Sequence, residues 1–72
     1  MDAEIYIYRD KIEITAPYYP KFITELKYRV PKEYRSWNPE TVRWTIDRAY
    51  MTPDAVVKML SDFYDHISET LV

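Results

Sequence analysis

The chain contains no glycine, and this omission limits both how it can turn and what it can bind. Glycine is the residue that enters left-handed backbone conformations without steric cost. Every turn must therefore be made by Asn, Asp, Pro or ordinary residues, and the unfolded chain has less conformational entropy to lose. Glycine-rich loops that let a backbone approach a phosphate are ruled out, so neither a P-loop nor a dinucleotide fingerprint is available. Cysteine is also absent, which removes disulfides, zinc-finger ligation and thiol nucleophiles.

With glycine unavailable, the clearest turn signal is Asn38-Pro39-Glu40-Thr41. Pro39 presets φ for the second position of a type I turn and Asn38 suits the first. Aromatic and β-branched runs flank it from Tyr34 to Ile46, so the stretch reads as a β-hairpin with one tryptophan on each strand. Trp37, Asn38, Pro39, Thr41 and Trp44 are the residues expected to give the hairpin its shape.

Upstream, Glu4–Tyr8 and Lys11–Thr15 alternate at period two and are rich in strand formers. Arg9-Asp10 is a tight connection between them, and Asp10 is the residue best able to take positive φ there. Ile12 and Ile14 face a core. In the first strand Ile5 and Ile7 compete with Tyr6 and Tyr8, and the facing stays open.

Pro20 then opens a helix in which Tyr19, Phe22, Ile23, Leu26 and Val30 share one side. Lys21, Glu25 and Arg29 form an i,i+4 ladder on the other side, and Pro31 ends the helix. After the hairpin, Thr52-Pro53-Asp54 supplies an N-cap, a first-position proline and a first-turn acid. The spacing predicts a final helix whose apolar arc runs from Val56 through Leu60 and Tyr64 to Ile67 and Leu71. The expected fold is α+β in the order β-β-α-β-β-α, a small antiparallel or mixed sheet with two helices packed on one face.

Residues 1–72 are expected to form a single domain, too short for two cores. The apolar fraction of 47% and the 17% aromatic content suffice for a packed fold. No run of 18 apolar residues exists, so no membrane segment is expected and a cytoplasmic or host-cytoplasmic location is the default. Glutamine is absent and Asn38 is the only asparagine, a depletion that points towards a thermophilic source.

Catalysis is not expected. His66 is the only histidine, and a nucleophile–base relay would need Ser61 or Ser68 beside it. Asp62 and His66 are spaced as a metal pair on a helix would be, but a charged helix face accounts for them as well, and neither metal nor cofactor is assigned. The net charge of −2 hides an uneven distribution. From Lys21 to Arg48 there are seven basic residues against four acids; from Met51 onward there is one lysine against four acids. Lys32, Arg35, Arg43 and Arg48 surround aromatic residues on or beside the hairpin. That combination can hold a nucleic-acid backbone and stack bases; ordinary outward strand positions explain the arginines equally well.

The run Tyr19-Pro20-Lys21-Phe22-Ile23-Thr24-Glu25-Leu26-Lys27, followed by Arg35-Ser36-Trp37-Asn38-Pro39-Glu40-Thr41-Val42-Arg43-Trp44, resembles the HARP domain of annealing helicases. The family pattern is an aromatic residue, a turn residue, a Thr or Ser and a following Trp, here Trp37, Asn38, Thr41 and Trp44. The resemblance spans residues 12 to 64, with its specific part at the hairpin. It implies a compact α+β module that contacts DNA, especially branched or partly single-stranded DNA, alongside a separate motor, with Arg35 and Arg43 as phosphate contacts. The 72 residues are too few to hold a motor of their own, and the module is expected to stand alone. A stand-alone copy would be an accessory protein of a virus, plasmid or cell. The alternative is a protein-interaction or homodimerisation module, such as a small regulator or inhibitor, motivated by the broad apolar arc of the last helix and the eight tyrosines.

Overall fold

The computed structural model describes residues 1–72. Five strands and two helices follow one another: β1 (Asp2–Ile7), β2 (Lys11–Thr15), α1 (Pro20–Arg29), β3 (Arg35–Asn38), β4 (Arg43–Asp47), α2 (Pro53–Ser61) and β5 (His66–Leu71). A short 3-10 helix, Lys32–Tyr34, leads into β3. This is the expected α+β order, β-β-α-β-β-α, completed by a fifth strand. The sheet is mixed, with spatial order β3-β4-β2-β1-β5. Neighbours pair antiparallel except β1 and β5, which run parallel.

Register resolves which way β1 faces. Ile5 lies opposite Ile14, and Ile7 opposite Ile12; Ile12 in turn lies opposite Ile46. These residues therefore line one face of the sheet, where both helices pack. Ala3, Ile5, Ile12, Ile14 and Ile46 are buried together with Phe22, Leu26 and Val30 from the α1 side and Val56, Met59 and Leu60 from α2. Each fully buried large side chain contributes about 1.5–3 kcal/mol. Tyr6, Lys11, Glu13 and Thr15 fall on the opposite face, which no helix covers.

The helix starts agree with the sequence reading. Pro20 opens α1, whose last turn is capped at Val30, and the Glu25–Arg29 ion pair of the solvent ladder forms at 3.4 Å. Thr52 caps α2, its Oγ1 accepting the Ala55 N–H at 3.2 Å.

The end of α2 differs. The helix stops at Ser61 rather than continuing to Leu71. Ile67 and Leu71, four apart, fit a helical stripe, but they also fit alternate positions of a strand. Pairing decides between the two: the run His66–Leu71 matches β1 residue for residue, from Asp2 opposite His66 to Ile7 opposite Leu71. Asp62 and His66 thus stand at a helix end and in a strand, so their helical metal spacing does not exist. The β1–β2 turn differs too. Tyr8 N–H closes it onto the Lys11 carbonyl at 2.9 Å, and Asp10 does not take positive φ; the one residue that does is Val42, at 56°. No helix is long and apolar enough to cross a membrane.

Candidate nucleic-acid interface

The hairpin forms where the sequence places it. Asn38 Oδ1 accepts the Glu40 N–H at 3.0 Å, closing an Asx turn at the start of the loop. With glycine unavailable, the left-handed position before β4 falls to Val42. A β-branched residue there is strained by about 1–3 kcal/mol.

Trp37 and Trp44 are cross-strand partners, and Trp44 also lies opposite Ile14. Both indoles therefore project on the helix-bearing face of the sheet. Their centroids are 5.3 Å apart with the planes tilted by 50°. Trp44 packs against the core. Trp37 is 46% exposed because β3 is the edge strand.

Between this indole pair and α1 runs an open groove of about 360 Å³, lined by Tyr18, Ile23, Lys27, Trp37 and Trp44. It adjoins an apolar cleft that includes Ala16, Pro17, Val42 and Tyr64. Tyr18 is 80% exposed and Val42 56% exposed. Lys27 is the only charged residue lining either part, and no acid does. The rear wall is firm. Tyr64 packs edge-on against Phe22 at 5.6 Å, and its hydroxyl donates to the Pro17 carbonyl at 2.7 Å. Burial raises the Tyr64 phenol above its ordinary pKa, so it remains a neutral donor throughout the ordinary pH range.

The four basic residues singled out from the sequence do not converge. Lys32 is exposed in the 3-10 helix. Arg35 lies two residues from Trp37 on the same face of β3, and its Nε donates to the Val30 carbonyl at 2.9 Å, closing the end of α1. Arg43 projects from the opposite face of the sheet. Its Nη1 donates to Glu13 Oε1 at 2.8 Å, its guanidinium covers the Tyr6 ring at 4.3 Å, and the Glu13 bond raises its pKa further. Arg48 sits at the far end of the sheet, its Nη1 on the Tyr8 carbonyl at 2.8 Å. Of the four, only Arg43 is ion-paired.

Sequence reasoning passed over Tyr18, Lys27 and Val42. Lys27 was readable as a basic residue beside Ile23 on the same helix, but its approach to Trp37 depends on tertiary packing. Comparison with known proteins returned no matching family model, no similar curated protein and no similar solved structure.

Proposed function

We propose that this protein is a small non-enzymatic module that binds single-stranded nucleic acid, seating unpaired bases in the groove between α1 and the β3–β4 hairpin. The observation that carries this reading is the acid-free groove itself, with exposed Tyr18 and Trp37 and one cation, Lys27, on its wall. Aromatic faces accept any base and contribute about 1–3 kcal/mol per stacked base. Lys27, with Lys32 and Arg35 towards the β3 edge, supplies charge for the backbone. Arg43 and Arg48 have no part in this interface. The resemblance to the HARP domain supports the same class of ligand.

The test is fluorescence anisotropy with an oligo-dT strand, the matching duplex and a forked DNA at low and high salt. The reading predicts preference for unpaired DNA and affinity that falls as salt rises, because phosphate contacts release counterions. Equal or absent binding of all three DNAs at low salt contradicts it.

A second reading takes the apolar lining as its observation. Ile23, Val42 and Trp44 would suit an apolar segment of a partner protein as well as a base. The two separate on salt: apolar docking changes little across the range that weakens phosphate contacts.

A further inference from the structure

The two edges of the sheet are built differently. The β3 edge has four residues, follows a 3-10 helix and is ended by Pro39. Short length and a nearby proline are common protections against strand addition. The β5 edge has six residues, no proline and no lysine, and of these only Ile67 is partly buried. Leu71 is 82% exposed.

Backbone alternation fixes what that edge offers. Val72 N–H donates to the Ile7 carbonyl at 3.0 Å, so Ser68 and Thr70, at even spacing from it, turn their peptide groups towards β1. The N–H and C=O groups of Ile67, Glu69 and Leu71 then point away from the sheet. They form a row ready to pair with another strand.

The side chains of the two strands favour one sign, and the nearby N-terminal ammonium is already paired with Asp65. β1 and β5 contain no Lys or Arg. Asp2 and Glu4 are the register partners of His66 and Ser68 on the uncovered face, where they line an open groove of about 420 Å³ with Thr15 and Ser68. Glu69 stands on the other face of β5. In the same groove Thr15 Oγ1 is buried without a hydrogen-bond partner.

We infer that the β5 edge takes an extended peptide carrying Lys or Arg at alternate positions, added as a sixth strand. Main-chain bonds to Ile67, Glu69 and Leu71 would give affinity, as in other strand additions. Basic side chains above Asp2 and Glu4 would give selectivity. A second copy of this chain fits less well. The antiparallel register that sets Ile67 against Leu71 also sets Glu69 against Glu69 of the second copy, and like charges directly opposite are destabilising. The edge lies at the other end of the sheet from the aromatic groove, so the inference does not depend on nucleic-acid binding.

The probe is a labelled eight-residue peptide alternating lysine with valine, with a glutamate–valine peptide as control. Anisotropy on the full chain is expected to give saturable binding of the basic peptide, weaker by about tenfold or more for the acidic one. Hydrogen exchange on the unmodified chain should show the amides of Ile67, Glu69 and Leu71 slowed by about tenfold or more in the complex. Leu71→Pro, which removes an outward donor and leaves every acid in place, should weaken binding by about tenfold. Equal affinity for both peptides overturns the inference. So does binding that leaves those three amides unslowed, which would be charge adsorption alone. A concentration-dependent dimer whose interface slows the same amides would give the edge to a second copy and overturn it as well.

Discussion

Trp37 and Trp44 face each other across the β3–β4 ladder at 5.3 Å, yet Trp44 is partly buried against the core while Trp37 is 46% exposed. The difference follows from strand position. Trp44 has β2 on its far side and Ile14 beside it; Trp37 has no strand beyond it. Trp44→Ala should therefore cost about 3 kcal/mol, near the low end for removing a large aromatic from a core. Trp37→Ala should cost about 1 kcal/mol, chiefly the lost ring pair. Urea unfolding followed by circular dichroism measures both.

Val42 holds a left-handed conformation that glycine would take freely. Val42→Gly should relieve strain and stabilise the fold by about 1 kcal/mol, net of the added entropy of the unfolded chain. The midpoint of thermal unfolding should rise by about 4–8 °C. The same change removes an apolar wall from the groove, so ligand binding should weaken while stability improves. A midpoint that falls would mean the Val42 side chain is worth more than the strain.

Tyr64 joins the groove's rear wall to the Pro17 segment that carries Tyr18. Tyr64→Phe leaves the edge-on packing against Phe22 and deletes one hydrogen bond, leaving the Pro17 carbonyl without that donor. The expected loss is about 1 kcal/mol. The measurement is a pair of urea unfolding curves, read together with the amide exchange rates around Tyr18, which should quicken in the variant.

The N-terminal ammonium and Asp65 are paired at 2.6 Å. The hydrogen bond, then the charge, holds the Asp65 carboxyl below its usual 3.8, and the same hydrogen bond raises the ammonium above its usual 8.0. The Asp65 contribution is present above its ordinary value and is lost as pH falls through the lowered one. The ammonium contribution is present below its ordinary value and is lost as pH rises through the raised one. The pair therefore supports the fold across the interval between them and fades on both sides. Both groups are exposed, so the effect is small and screened by salt. Asp65→Asn should flatten both limbs of a plot of unfolding midpoint against pH at low ionic strength.

Much of this fold was readable because local signals agreed with one another. The alternation of Lys11–Thr15, the Pro20 and Thr52-Pro53 helix starts and the Asn38-Pro39 turn all mark their elements without tertiary help. β5 was not readable in the same way. Ile67 and Leu71 satisfy helix and strand alike, and no Pro or Gly punctuates Asp62–Asp65, so only the unpaired edge of β1 settles the matter. The αL position of Val42 is hidden for the opposite reason, since glycine, its usual marker, is missing. The arginines were legible as charges but not as contacts. The acceptors of Arg35, Arg43 and Arg48 (Val30, Glu13 and Tyr8) are set by strand order and loop packing, which residue type alone does not determine.

The central claim is that unpaired bases stack in the groove beside Trp37, and Trp37→Ala compared with Arg43→Ala in the oligo-dT titration tests it most directly. Trp37→Ala should lose about tenfold or more in affinity at low salt, as removal of one stacking ring does. Arg43→Ala, on the other face of the sheet, should bind within about twofold of the unmodified chain. Unchanged affinity for Trp37→Ala, or a large loss only for Arg43→Ala, would contradict the account and move any nucleic-acid contact to the uncovered face of the sheet.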